Sequence, residues 1–311
     1  MDIMNSYDIA TSQQEWHDLR SNGLGGSDIG TMLGLNSFKS KYQLWLEKTG
    51  QIKPEDISDK IAIQIGNELE DLVARMFEQE TGLKIQRDNK THYHKDYPFL
   101  LANIDRKIVG KKVLLECKTT SAFSAKQWDE DEIPASYLMQ VQHYLNVLDY
   151  DYAYIAVIIG NHDFVYKKVE RDDELIEMYT NMAKKFWLEN VEKKIEPEID
   201  YTDKQAIKYI TSNIEDDISV PAKKQELALM EDVIYFKEKV KYFKNLQEEA
   251  EGKIKKAMAD SGASQLTSPT ISAKFTRFTR SNFDKKQFGK DHPESLKHYT
   301  TVTEVSRLTI K

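Results

Sequence analysis

Apolar positions recur three and four residues apart across residues 61–80, where Leu69, Leu72, Val73, Met76 and Phe77 form one stripe, and this spacing predicts an amphipathic helix. Upstream, SQQEWHDLR and KSKYQLWLEKTG predict two short helices around the glycine-rich stretch NGLGGSDIGTMLG, the second ending on a glycine in the manner of a C-cap. Downstream the period shortens to two. Residues 83–87, 99–108 and 112–119 are predicted strands, and a helix from 134 to about 148 carries proline in its first turn. YAYIAVII and FVYKKVE are β-rich runs joined by GNHD, a hairpin signal, and a helix over 173–192 follows. Helix, three strands, helix and further strands together predict an α/β core.

After the polar stretch KKIEPEIDYTDK the texture changes. Leu229, Val233, Phe236, Val240, Phe243, Ala250, Ile254 and Ala257 alternate spacings of three and four, interrupted only by polar Gln247, and predict one long amphipathic helix. Such a stripe is either an internal packing face or a partner-binding one. The end, SPTISAKFTRFTRSNFDKKQF, predicts a small β tail with aromatics between basic residues, a pattern that suits base stacking and an ordinary small β core alike. Two domains are expected, 1–195 and 196–311.

Composition narrows the class. Of the 311 residues, 40% are hydrophobic and 31% charged, which describes a soluble globular protein. No apolar run approaches the roughly 20 residues that cross a bilayer, and MDIMNSYDIATSQQEW lacks the apolar core of a signal peptide, so a cytoplasmic protein is expected. The single cysteine, Cys117, excludes an internal disulfide framework, a four-cysteine zinc site and a cysteine-ligated iron-sulfur cluster. Any metal must be held mostly by oxygen. His92, His94 and His143 form no convincing ligand set and are expected at the surface. The net charge is −7, yet residues 274–311 hold nine Lys or Arg against four Asp or Glu. A basic tail on an acidic body suits a polyanion track or a solvated surface. No G-x-x-x-x-G-K-[ST] phosphate loop occurs, so ATP-driven translocation is not expected.

The candidate chemistry lies in LANIDRKIVGKKVLLECKTT, residues 101–120. With Gly110 and Lys111 as a two-residue hairpin loop, Asp105 falls opposite Glu116 and Asn103 opposite Lys118, all four on one sheet face. Like charges directly opposite destabilise a hairpin. A cation must compensate: Lys118, a hard divalent ion, or both. An E-x-K triplet alone describes a surface salt-bridge cluster equally well. Leu100, Leu101, Ile104, Val113, Leu114 and Leu115, however, make both strands apolar enough to be interior, where charges without a function are rare. On the preceding helix, Glu68 and Glu70 flank the apolar stripe on opposite sides, and Asp71 points away.

Asp105 and then E116-C-K118 on adjacent strands, with G66-N-E-L-E70 before them and Q140-V-Q-H-Y144 after, resemble the PD-(D/E)xK nucleases. More narrowly, with W16-H-D-L-R20 and G25-G-S27, the chain resembles the lambda-exonuclease-like YqaJ viral recombinase family over roughly residues 12–195. The resemblance implies a restriction-endonuclease-like core, a central mixed β-sheet flanked by helices, here followed by the long helix and small β tail. It implies a Mg²⁺-dependent, 5′ to 3′ exonuclease on linear double-stranded DNA, with Mn²⁺ as substitute metal, leaving 3′ single strands for phage-type recombination. Glu70, Asp105 and Glu116 would ligate the metal together with the Cys117 carbonyl, Lys118 would orient or activate water, and Gln140 and Tyr144 would frame the site. Arg20 and Ser27 would bind a terminal 5′ phosphate. Asn103 stands where such enzymes carry a serine, a departure that bears on 5′-phosphate dependence. A ring-shaped homotrimer, a phage single-strand annealing protein as partner, and a phage or prophage gene expressed in a bacterial host are likewise implied. Two other readings stay open: a restriction-type DNA endonuclease using the same residues, and a non-catalytic DNA-binding or scaffold module.

Overall fold

A computed structural model describes residues 7–9, 11–129, 132–215, 217–279, 281, 283–301 and 308–310; the side chains of residues 13, 14, 16, 17, 205 and 213 also lie outside the description, so Trp16 and His17 are placed by backbone alone. Strand β1 (Tyr7–Asp8) precedes three short helices, α1 (Gln13–Ser21), α2 (Gly26–Met32) and α3 (Lys41–Lys48). The Ser12 and Ser40 side chains accept from the first-turn amides of α1 and α3, satisfying donors that have no partner within a helix. Helix α4 (Ile61–Thr81) buries Val73, Ala74 and Phe77 along its expected stripe and ends at Gly82, whose φ of 69° turns the chain out of the helix.

The strands β2 (Ile85–Arg87), β3 (Thr91–Tyr93), β4 (Leu101–Ala102), β5 (Arg106–Ile108) and β6 (Val113–Thr120) come next. A 3₁₀ segment (Ala122–Trp128) leads to α5 (Ala135–Leu148), β7 (Tyr152–Ile159), β8 (Asp163–Glu170) and α6 (Asp173–Lys185). The expected helix over 173–192 is thus α-helical only to Lys185 and finishes as a π turn (Phe186–Val191), with α7 (Lys204–Ile210) beyond. Five strands form the central sheet in the order β2-β5-β6-β7-β8, antiparallel except for β6 and β7, which run parallel with α5 as their crossover. This is the expected mixed sheet flanked by helices. Strand β6 is buried on both faces: Val113, Leu115 and Cys117 pack with Val73 and Phe77 of α4, whereas Leu114 packs with Val141 and Leu145 of α5 and Ile155 of β7.

Four expectations are corrected here. The strand over 99–108 is two strands in different sheets, because β4 pairs with β3 and only β5 pairs with β6. Residues 103–105 leave the ladder: the Asn103 amide donates to Thr91 Oγ1 at 2.7 Å, and the Asp105 carbonyl accepts from the Arg106 guanidinium at 2.7 Å. Asn103 is therefore bound to β3 and does not face Lys118. The hairpin loop spans residues 109–112, with Gly110 second at φ 75° and the Lys111 amide donating to the Ile108 carbonyl. The register is nonetheless the expected one, with Arg106 against Leu115 and Lys107 against Leu114. The histidines are not at the surface. His92, His94 and His143 are all buried; His143 Nε2 lies 2.8 Å from the Leu101 carbonyl, and His92 Nε2 lies 3.0 Å from Asp88.

The chain packs as two units, Met1–Ile214 and Glu215–Lys311. The second contains α8 (Lys224–Ser261), the hairpin of β9 (Gln265–Thr267) and β10 (Ser272–Lys274), and two short helices, α9 (Lys285–Asp291) and α10 (Pro293–His298). Among the described residues, no helix is long and apolar enough to cross a membrane.

Candidate active site

Alternation along β6 decides which side chains meet. Leu114, Glu116 and Lys118 share the face that looks toward α5, and Glu116 and Lys118 lie beside Ile155 and Val157 of β7. One step beyond the last printed pairs of β5 and β6, Asp105 arrives beside Glu116, and its Oδ2 accepts the Cys117 amide at 2.8 Å. Glu116 is buried. One of its oxygens, Oε1, receives Lys118 Nζ at 2.6 Å and the Gln140 amide at 2.7 Å; the other, Oε2, is buried with no hydrogen-bond partner among the described residues. Gln140 also donates to the Tyr144 hydroxyl at 2.9 Å, one turn along α5. Asp105, Glu116, Lys118, Gln140 and Tyr144 thus form one connected group.

Electrostatics sets the character of this group. Burial pushes the Asp105 carboxyl well above the usual carboxylate range, and the neighbouring Glu116 adds to the shift. Glu116 is raised as well, by burial, although Lys118 opposes the shift. Lys118 is pulled down by burial, but Glu116 and Asp105 more than offset this, so its ammonium is held more firmly than a free lysine's. Burial drives the Cys117 thiol far upward, so it is not a thiolate ligand, and its side chain packs toward α4.

Glu70 approaches from the other side of the sheet. Its Oε1 accepts from Arg106 Nη1 at 2.6 Å, and Asp71, which does not point away, pairs with Arg106 and with Arg87. Arg106 is buried and also holds the Asp105 carbonyl, so one guanidinium joins the helix acid to the strand acid. Sequence reasoning passed over this residue. Its partners lie on α4, and only the packing of that helix on the sheet brings them to it. Tyr137 is a second omission, its ring centroid 5.0 Å from Lys118 Nζ.

Arg20 and Ser27 are brought together, Arg20 Nη2 donating to Ser27 Oγ at 3.2 Å. Behind them Lys48 binds Asp28 at 2.9 Å, and the lysine and Arg20 outweigh burial to hold the Asp28 carboxyl down to about 2. The Gly25 amide donates to Asp28, and a Cβ on Gly26 would meet Gln140 Cγ and Tyr144 Cε1 at 2.7 Å. Gly26 therefore lets α2 press against the two α5 residues of the site. Asn103 stays apart, bonded to Thr91 of β3.

The donor set suits a small hard cation. Two adjacent carboxyls that resist carrying charge together, one with an empty buried oxygen, gain from a divalent ion what water cannot give them there. No three His, Cys, Asp or Glu side chains converge as a ready cluster among the described residues, since Glu70 is engaged by Arg106.

Residues 15–151 match the YqaJ-like viral recombinase domain. Over 253 residues the chain is 41% identical to the uncharacterized protein YqaJ of Bacillus subtilis (strain 168), a span covering 80% of this chain and 79% of that protein. Among solved structures, LHK-Exo in complex with dAMP aligns with a TM-score of 0.51 and 19% identity, covering 63% of this chain and all, 100%, of that one. The alkaline exonuclease LHK-Exo from Laribacter hongkongensis aligns with a TM-score of 0.49, 18% identity and the same coverage. The likeness to LHK-Exo is one of fold.

Proposed function

Since the chain belongs to the YqaJ-like viral recombinase family, we propose that it is a metal-dependent exonuclease that degrades linear double-stranded DNA from 5′ to 3′. The product is a 3′ single strand for strand annealing in phage-type recombination. The observation that carries this reading is Glu116, buried beside Asp105 and bound on one oxygen by Lys118 and Gln140, with its other oxygen lacking a hydrogen-bond partner among the described residues.

Asp105 and Glu116, with Glu70 and the Cys117 carbonyl, would hold Mg²⁺ or Mn²⁺, which when bound supplies positive charge to the scissile phosphate and to the departing oxygen. Lys118, paired with Glu116, would orient or activate the attacking water. Gln140 fixes the Glu116 carboxylate by its amide and ties it to Tyr144, which limits the rotamers open to the ligand oxygen. Arg106 holds Glu70 at the back of the sheet and sets its reach. Arg20 offers a planar fork and Ser27 a hydroxyl to the terminal 5′ phosphate, across Gly26 from Gln140. A ring-shaped homotrimer around the duplex accounts for processive digestion without ATP, and a single-strand annealing protein is the partner that receives the product.

The test is a linear duplex phosphorylated at one 5′ end, digested with and without Mg²⁺ by the wild type and by Lys118→Ala, with closed circular DNA alongside. Metal-dependent loss of the phosphorylated strand, slowed by about 10²- to 10⁴-fold in the variant, is expected, and the circle stays intact. A linearised circle would establish the endonuclease instead. An untouched linear duplex would reject both.

A further inference from the structure

Helix α8 is 38 residues long, yet its stripe is uncovered: Leu229, Phe236, Val240 and Phe243 are 65, 61, 68 and 62% exposed. A helix in water draws most of its stability from packing its apolar face, and among the described residues of its own unit this one lacks a counterpart. Its repeat is a heptad. Val233, Val240, Gln247 and Ile254 occupy one core position, and Leu229, Phe236, Phe243, Ala250 and Ala257 the other. Lys237, Lys244 and Glu251 flank the seam on one side, and Lys239, Lys253 and Asp260 on the other.

We propose that α8 pairs antiparallel with α8 of a second copy of this chain, Val240 opposite Ala257, Phe243 opposite Ile254 and Gln247 opposite Ala250; three copies cannot pair two by two, so the second copy belongs to a different ring from the first. Charge selects this register. In it Lys244 meets Glu251 of the second copy and Lys239 meets Asp260 of the second copy, each twice by the two-fold axis, and no like charges meet. Slid one heptad in one direction, Lys244 faces Lys244 and Lys239 faces Lys253; slid the other way, Glu251 faces Glu251 and Lys253 faces Lys253. Parallel, in-register pairing sets Lys239 against Lys244. Size is compatible with charge, because Val240 falls against the small Ala257 and polar Gln247 against Ala250, so that no two amides share a layer, while Phe243 packs on Ile254 as the large apolar pair of the seam. The paired segment, residues 236–261, is about 39 Å long at 1.5 Å per residue, ample for a coiled coil.

The test uses the full chain, whose one native cysteine, Cys117, is buried. Val240→Cys, Ala257→Cys and the double variant are oxidised mildly and run without reductant. An inter-chain disulfide in the double variant and in neither single variant is expected, because the two positions meet only across an antiparallel pair. Sedimentation is the second readout: Lys244→Glu should weaken association roughly tenfold, and adding Glu251→Lys should restore it. Single variants that cross-link as well as the double would show parallel pairing and overturn the proposal. So would a double variant that does not cross-link, or an association indifferent to Lys244→Glu, which would mean that another surface or another protein covers α8. Mass and disulfide are read without DNA, so the result stands apart from the exonuclease reading.

Discussion

Asp105 and Glu116 occupy a place where two charges are costly, and the cost is measurable in the metal-free protein. Burial first, and for Asp105 the Glu116 carboxylate next, raises both above the ordinary carboxylate range. Between the unfolded-state values and the raised folded-state ones, the native protein binds more protons than the unfolded chain, so stability falls as pH rises through that window. Asp105→Asn removes one charge and keeps an oxygen for the Cys117 amide. In EDTA its melting temperature at pH 8 should exceed the wild type's by a few degrees, on the order of 1 kcal/mol, with a smaller difference at pH 5. Mg²⁺ should stabilise the wild type and do little for the variant; thermal unfolding at both pH values, with and without metal, checks this, and a variant less stable in EDTA at pH 8 would contradict the repulsion. The carboxylate pair was legible from sequence because a glycine turn and strand alternation set the face. Arg106 was not, because its partners Glu70 and Asp71 lie on a helix 36 and 35 residues earlier, and only the packing of α4 on the sheet brings them to it.

Helix α5 shows why element type was readable and burial was not. Gln142, His143 and Asn146 are polar yet buried, because α5 is enclosed by the sheet, α2 and α6, and each finds a partner in that enclosure. Gln142 spans the Glu170 carbonyl and the Asp172 amide, Asn146 donates to Thr180 Oγ1, and burial lowers His143 to about 4, keeping it neutral. Such contacts are unknown until the neighbouring elements are in place. The packing of α2 on α5 yields a matched pair of substitutions. Gly26→Ala places a Cβ 2.7 Å from Gln140 and Tyr144, an overpacking that costs about 1–3 kcal/mol, whereas Gly30→Ala meets Ser136 at an ordinary 3.6 Å. Gly26→Ala should therefore melt several degrees lower and displace Gln140 from Glu116, with nuclease activity falling accordingly. Gly30→Ala should be neutral or slightly stabilising, since alanine is the better helix former. Equal losses in the two would show that tight α2–α5 contact is not specific to Gly26.

At the scale of the whole molecule, a chain of net charge −7 that is proposed to hold DNA must concentrate its positive charge. The region after the β9–β10 hairpin is one such concentration: residues 276–311 carry eight Lys or Arg and four Asp or Glu. The Phe275 amide donates to the Ser264 carbonyl and closes the hairpin, so truncation after residue 275 leaves β9 and β10 paired. If this region meets phosphates, each neutralised phosphate adds about 0.9 to the slope of log binding constant against log salt. Deleting 276–311 should then weaken duplex binding at low salt and flatten that slope, while metal-dependent digestion of saturating DNA persists, because the carboxylates, Lys118 and Gln140 all lie in the first unit. Fluorescence anisotropy on a blunt duplex from 50 to 200 mM salt, roughly the range over which counterion release is steepest in effect, separates the outcomes. An unchanged slope would assign the basic residues to solvent and leave the phosphate contacts to the nuclease unit alone.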